Sequence, residues 1–275
     1  MSFDPAWLAL REPADHRARH GGLLRQLARH FDDREEIAVV DLGCGTGSNL
    51  RALAARLPER QAWTLVDHDP ALLDAARDRL SAWADAVADG PGLALRKDGR
   101  RIAVSFVQAD LARDVERVLG EPDLVTAAAL FDLVSAEWIG RFVQAVAERG
   151  AAFYTALTYD GTESWEPPHP DDGAMRAAFH AHQHRDKGFG AAAGPDATEL
   201  LVEAFCAADY TVETGASPWR LGPADRALVA ELARGVAAAV RETGRVPEAR
   251  VADWLAHRRE ASCAVGHLDL LALPA

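Results

Sequence analysis

Three glycines at alternate positions, Gly43, Gly45 and Gly47, follow closely on Asp41, and a second aspartate, Asp67, stands 20 residues beyond Gly47. Glycine lets a backbone turn sharply and lets a ligand come close to main-chain atoms. An acidic residue at that distance can accept both hydroxyls of a ribose. The combination points to a ligand that carries a nucleoside. Two common nucleotide signatures do not fit: a dinucleotide fingerprint needs a third glycine where Ser48 stands, and a phosphate-cradling loop needs a lysine after Gly47.

A second group with chemical potential lies further along. His169, His180, His182 and His184 crowd one stretch, and His180 and His184 share a face if that stretch is helical. Two such histidines suit a metal, but no His-Glu-x-x-His motif or nearby cysteine adds a third ligand, so no metal is expected. The histidines either pack inside a cap or contact a substrate, where imidazole can exchange a proton near neutral pH. On the substrate reading, His184, His180 and Tyr159 are the catalytic candidates, and Tyr159, Trp165, Asp132 and Lys187 are the candidates for substrate contact. Arg185 and Lys187 either recognise an acidic group or pair with Asp160, Asp171 or Asp186.

The elements that must hold these groups read as alternating strands and helices. Ile37, Val39 and Val40 form a short β-branched run that ends at Asp41, and a helix follows from Asn49 to Leu57. A second strand, 62–67, ends at Asp67, and a helix opened by Asp69-Pro70 presents Leu73, Ala76, Leu80, Trp83 and Val87 on one face. Turn residues at 89–92 precede a hairpin around Asp98-Gly99, with alternating Ile102, Val104 and Phe106. Gln108-Ala109-Asp110-Leu111 opens the next helix, 111–119, with Asp110 as a natural cap. A fourth strand exits at Leu130, Ser135 caps a helix, and a fifth strand spans 151–158. Residues 159–195 then form a long connection with a helix near 174–185, before helix 197–208, strand 210–216, helices 224–242 and 247–259, and strand 262–272. Residues 4–31 read as helix with a weak point at Pro13 and Gly21-Gly22. The charged run from Arg11 to Arg17 is either a solvated helix end or part of a lid in which Arg11 or Arg17 meets a carboxylate.

The form Asp41-Leu-Gly-Cys-Gly-Thr-Gly47 closely resembles the first motif of class I S-adenosylmethionine-dependent methyltransferases, and the resemblance extends over residues 36–158. It implies an α/β fold with a Rossmann-like seven-stranded sheet, order 3-2-1-4-5-7-6, the last strand antiparallel. It implies S-adenosyl-L-methionine as cofactor and methyl transfer as the reaction. It assigns Asp41, Gly43, Cys44, Gly45, Thr46, Gly47 and Asn49 to the cofactor turn, Asp67 and His68 to the ribose, Asp110 and Leu111 to adenine, and Ala128 to the fourth-strand exit. Family members often carry an N-terminal cover, so the chain reads as one domain, 1–275, with a helical cover over 1–31 and a helical cap insertion for substrate over 159–195. The Asn/Asp-Pro-Pro-Tyr/Phe motif of many amino-group methyltransferases is absent. Asp132 is the acidic residue of that exit; it either orients an acceptor or serves a turn.

Composition bounds the remaining choices. The chain has 275 residues, 49% of them hydrophobic, and a net charge of −12, which disfavours broad binding to nucleic acid or anionic membrane. Cys44, Cys206 and Cys263 form no metal or disulfide pattern, and neither a membrane span nor a secretory leader is evident, so a cytoplasmic protein is expected. The expected partner is a small-molecule methyl acceptor, with its methylated atom open between oxygen, nitrogen and carbon. The competing readings are a cofactor-binding protein without turnover, a nicotinamide oxidoreductase and a nucleic-acid methyltransferase. The oligomeric state is not legible.

Overall fold

The computed structural model describes residues 3–88, 92–258 and 260–275. Residues 89–91 of the expected turn lie outside the described residues. The strands are β1 (Glu36–Leu42), β2 (Arg60–Asp67), β3 (Ala86–Ala88), β4 (Leu93–Lys97), β5 (Arg100–Gln108), β6 (Leu124–Ala128), β7 (Ala152–Glu166), β8 (Tyr210–Ala216), β9 (Trp219–Leu221) and β10 (Ser262–Pro274). They join in the order β3-β4-β5-β2-β1-β6-β7-β10-β8, with β9 beside β10. From β5 to β7 the strands are parallel, and β10 is antiparallel to both β7 and β8. Taken from β5 onward, this is the expected 3-2-1-4-5-7-6 order. The β3–β4 hairpin extends one edge.

The helices are α1 (Pro5–Ala18), α2 (Gly21–His30), α3 (Ser48–Leu53), α4 (Pro70–Trp83), α5 (Leu111–Leu119), α6 (Ala136–Ala147), α7 (Asp172–Gln183), α8 (Ala197–Ala207), α9 (Arg226–Thr243) and α10 (Glu248–Ala256). Successive strand residues point to opposite faces, and the core divides accordingly. Val39, Leu65 and Tyr154 join Leu24, Leu50, Leu80 and Val236 on one face, whereas Val40, Val66 and Phe153 join Val115, Phe142 and Phe205 on the other. On that second face the rings of Phe131, Trp138, Phe142, Phe153 and Phe205 pack against one another.

The caps act where the residue types predict. Asp69, Asp110 and Ser135 accept backbone N–H bonds from Ala71, Ala112 and Trp138. Three expectations need correction. The helix expected to carry Val87 ends at Trp83, and Val87 is exposed in β3, paired with Leu95. The fifth strand does not stop at Thr158: β7 is 15 residues long because β10 pairs with it as far as Glu166, with register shifts on the way. Residues 159–166 of the presumed connection are therefore strand. The N-terminal helix breaks at Arg19-His20, while Pro13 sits inside α1.

One buried carboxylate joins that break to the sheet. Asp269 of β10 is fully buried and accepts bonds from His20 N (2.8 Å), Tyr154 Oη (2.9 Å) and Leu157 N (2.9 Å). It fastens the α1–α2 joint to β7 and β10. Replacing Asp269 with Ala orphans three buried donors and should destabilise the fold by about 3 kcal/mol or more. Urea unfolding of the variant checks this; a midpoint and slope equal to wild type would show that the joint is held otherwise.

Candidate active site

A cavity of about 450 Å³ opens where the chain leaves β1, β2, β5 and β6 at their carboxyl ends. Gly43, Cys44, Gly45 and Thr46 come from the first exit, Asp67 and His68 from the second, Asp110 and Leu111 from the third, and Ala128, Leu130 and Leu133 from the fourth. Leu8, Arg11, Asp15 and Arg19 reach it from the N-terminal segment, and Lys187 and Phe189 from the segment after α7. Of the residues assigned to a cofactor from the sequence, only Asp41 and Gly47 stand behind the wall rather than in it. Asp41 is fully buried, and Gly47 opens α3 in a left-handed conformation, where a Cβ would meet Leu80.

The glycine turn is tied to the next strand. Cys44 N donates to Val66 O (3.0 Å), and Gly45 N donates to Asp67 Oδ2 (2.9 Å). Gly45 has φ +52°, and a Cβ there would lie 3.0 Å from Leu8 Cδ1 of α1. The positive φ favours glycine, and a Cβ would also press on the tip of Leu8. Asp67 Oδ1 also accepts from Asp69 N. Below the turn, Asn49 Nδ2 donates to Asp41 Oδ1 (2.8 Å) and Thr126 Oγ1 (3.0 Å). Burial pushes the Asp41 carboxyl up to about 7 against the Asn49 bond and the Arg19 charge, and Asp67 pushes it the same way.

Helix α1 closes over this floor. Arg51 of α3 grips Glu12 through two bonds of 2.7 Å, and His16 Nε2 meets Ser48 O and Oγ at 3.1 and 3.0 Å. Arg11 and Arg17, read either as a solvated helix end or as part of a lid that meets a carboxylate, meet the chain's own carboxylates. Arg11 Nε donates to Asp15 Oδ2 (2.9 Å), and Arg17 pairs with Asp225 at the surface. The residue that sequence reasoning missed is Arg19. It is buried and lines the cavity, and among the described residues its Nε and Nη1 have no hydrogen-bond partner. Burying two guanidinium nitrogens without hydrogen-bond partners is costly. Its signal in the sequence was slight: one arginine among several, just before a glycine pair.

The other candidates separate. Tyr159 Oη and His180 Nε2 lie 3.0 Å apart, and the Tyr159 ring meets that of His267, which in turn meets Trp219 beneath Arg11. Neither Tyr159 nor His180 lines the cavity. His184 faces away from the wall too, with Nδ1 3.3 Å from Ala192 O. Trp165 lies six residues beyond Tyr159 on β7, roughly 20 Å along an extended strand, and packs on Trp254 and Arg258. Asp132 is half-buried beside the wall; burial pushes its carboxyl up to about 6 against the charge of Arg11. Lys187 is in the wall. His169, Asp253 and His257 approach one another closely enough to share an ion, but none lines the cavity, and His169 Nδ1 already accepts from Asp171 N.

Comparison with known proteins agrees with this geometry. Residues 39–150 match the methyltransferase domain family. A trans-aconitate 2-methyltransferase of Paracidovorax citrulli is 34% identical over 102 residues, 37% of this chain and 29% of that protein. Another, of Methylobacterium radiotolerans, is 46% identical over 51 residues, 18% of this chain and 19% of that protein. The chain thus matches under a third of the length of either relative. A solved cyclopropane-fatty-acyl-phospholipid synthase-like protein of Lactobacillus casei shares the fold, with a TM-score of 0.57 and 17% identity over 98% of this chain and 94% of that one.

The sheet order and the glycine–aspartate cavity define a class I methyltransferase fold. Over residues 39–150 the chain is similar to methyltransferase domains, and this stretch carries the glycine turn, Asp67 and Asp110. The residues present fit S-adenosylmethionine: among the described residues Arg19 Nε and Nη1 in the wall and Asp41 Oδ2 behind the turn have no hydrogen-bond partner, and Asp67 and Asp110 lie in the wall.

Two variants test the cradle. Asp67→Ala should weaken S-adenosylhomocysteine binding by about 1.5–3 kcal/mol, as for a hydrogen bond to a charged group. Gly45→Val should abolish binding in a folded protein. Calorimetry beside circular dichroism reads both; full affinity in either variant would remove that residue from the cradle.

Proposed function

We propose that this chain transfers the methyl group of S-adenosylmethionine to a small-molecule acceptor. The observation that carries the proposal is one cavity shared by the glycine turn, Asp67, Asp110 and the buried Arg19 with the apolar Leu130 and Leu133 of the fourth-strand exit. When bound, the cofactor supplies a methyl carbon on a cationic sulfur that leaves as a neutral thioether. The protein's task is then alignment and exclusion of water. Asp67 would hold the ribose, Asp110 and the Leu111 amide the adenine, Arg19 the methionine carboxylate, and Asp41, from behind the turn, the amino group. We assign α1–α2 as the cover and the segment after α7 as the wall beside the acceptor.

Proton removal matters only for an acceptor that is protonated, such as a hydroxyl. Asp132, beside the wall and with its carboxyl near 6, is better placed for it than His184. The Tyr159–His180 pair stands one layer behind; burial raises the Tyr159 phenol and lowers the His180 imidazole, so both favour their neutral forms. The net charge of −12 favours a small acceptor over nucleic acid. Free Cys44, Cys206 and Cys263 suit a reducing, cytoplasmic setting. The acceptor named for the two relatives, trans-aconitate, is the first compound to assay. Formation of S-adenosylhomocysteine with an acceptor tests the reading against a binding protein without turnover.

Two predictions follow from the protonation states. The Asp41 carboxyl is raised in the fold, so from the ordinary carboxylate range up to about 7 the folded chain binds more protons than the unfolded one, and the group costs stability as pH rises. A cationic amino group beside it favours the carboxylate. Cofactor binding should then release a proton below pH 7, and affinity should rise between pH 5.5 and 7 and level off above. Calorimetry in buffers of different ionisation heat reads the proton directly; Asp41→Asn should abolish the release, and a pH-independent wild type would refute the assignment. For an acceptor methylated at a hydroxyl, Asp132→Asn should lower turnover about 10²-fold or more, within the general-base range, whereas His184→Ala should chiefly lower the melting temperature. Equal turnover in Asp132→Asn and wild type would remove Asp132 from catalysis.

A further inference from the structure

Lys187 is a cation in the cavity wall of an acidic protein. Among the described residues it forms no ion pair; its Nζ approaches His182 Nδ1 at 3.4 Å. His182 Nε2 lies 3.0 Å from Glu242 Oε2 on α9. A ring that donates from Nε2 to Glu242 presents a lone pair at Nδ1, which is what an ammonium donor needs. Arg185 braces the same spot by donating to Glu242 O at 3.0 Å. Asp186, adjacent in sequence, is engaged elsewhere: its Oδ1 accepts from Gly188 N (2.7 Å) and Gly190 N (3.0 Å) and shapes the loop that carries Lys187. Lys187 is thus held from one side by the His182 ring, and its charge is not neutralised by a direct carboxylate contact among the described residues.

The other wall cations differ. Arg11 is spent on Asp15, and Arg19 lies deep, close enough to Asp41 and Tyr154 to act on both. Lys187 sits beside Phe189, whose ring meets Trp138, and the Trp138 indole donates to Leu111 O at 2.7 Å. That places it on the α6 side of the cavity, away from the α1–α2 joint where Arg19 stands.

We propose that Lys187, positioned by His182 and Glu242, binds a carboxylate on the methyl acceptor, and that the acceptor is a small carboxylic acid. The inference rests on the methyl-transfer reading above and names its substrate class. One uncompensated ammonium suits one singly charged group; a phosphate dianion would call for more positive charge than this wall offers. Burial lowers the Lys187 ammonium, with Glu242 opposing that and the Arg185 charge adding to it.

The test uses full-length protein saturated with S-adenosylhomocysteine. Calorimetry follows benzoate, phenylacetate and glutarate, each against its amide. The expected result is that at least one acid binds about tenfold or more tightly than its amide. Lys187→Gln should remove that preference, Lys187→Arg should restore most of it, and Glu242→Gln should weaken it severalfold, all with unchanged affinity for S-adenosylhomocysteine. Acids that bind no better than amides, or a preference that survives in Lys187→Gln, would overturn the role of Lys187 and leave methyl transfer standing. Loss of S-adenosylhomocysteine affinity in Lys187→Gln would reassign the residue to the cofactor and overturn the proposal. Failure of the wild type to bind S-adenosylhomocysteine would bring down the methyl-transfer reading and this one together. A fall in melting temperature in both Lys187 variants, with the acid preference intact, would reduce the tether to a structural brace.

Discussion

The bond from Gly45 N to the Asp67 carboxylate is the constraint on which the site depends. It runs between the tips of two adjacent parallel strands, β1 and β2, and is made before any ligand arrives. One carboxylate oxygen takes the turn amide while the other takes Asp69 N, so lone pairs remain for further donors. A single side chain therefore sets the shape of the glycine turn and presents an acceptor to the cavity. Backbone geometry favours glycine there, because Gly45 has a positive φ and a Cβ would press on the tip of Leu8.

A second constraint acts from the opposite side of the site. Asp269 fixes the α1–α2 joint from β10, so the residue just before the joint, Arg19, is held by the far half of the sheet. Strands laid down last in the chain thus orient a group contributed near its beginning. The cost is a guanidinium buried with Nε and Nη1 partnerless, next to an aspartate whose carboxyl is raised by the same burial. Natural folds leave such groups unpaired chiefly where a ligand completes them. Of the two, Arg19 lines the cavity and Asp41 stands behind the glycine turn.

What was legible in the sequence follows a physical divide. Ile37, Val39 and Val40 leading into three alternate glycines identified β1 and the cradle, because buried strand composition and glycine spacing are local signals. The caps at Asp69, Asp110 and Ser135 were legible for the same reason. Less local features were not. The extension of β7 to Glu166 depends on β10, about a hundred residues away, which pairs with a stretch whose own residues read as loop. The β3 strand depends on β4 in the same way. At the site, Arg11 and Arg17 drew attention by position in a charged run, yet their charges are met by Asp15 and Asp225, whereas Arg19 gains its significance only from burial. Trp165 and Lys187 were indistinguishable as candidates until the path of β7 carried one away from the cavity and the loop after α7 brought the other back.

Helix α1 lies beside the glycine turn and carries several ion pairs that hold it there. Methyl transfer from a sulfonium needs the two reacting centres aligned and water kept out, so the wall over them must be closed yet able to admit ligands. Helix α1 turns Leu8 toward the glycine turn, while Glu12 and His16 fasten it to α3 through Arg51 and Ser48. The Arg51–Glu12 pair is bidentate and mostly buried, so removing either partner would leave a buried charge uncompensated. The helix is thus held over the turn by a largely buried ion pair, and the joint behind it by a buried carboxylate with three donors.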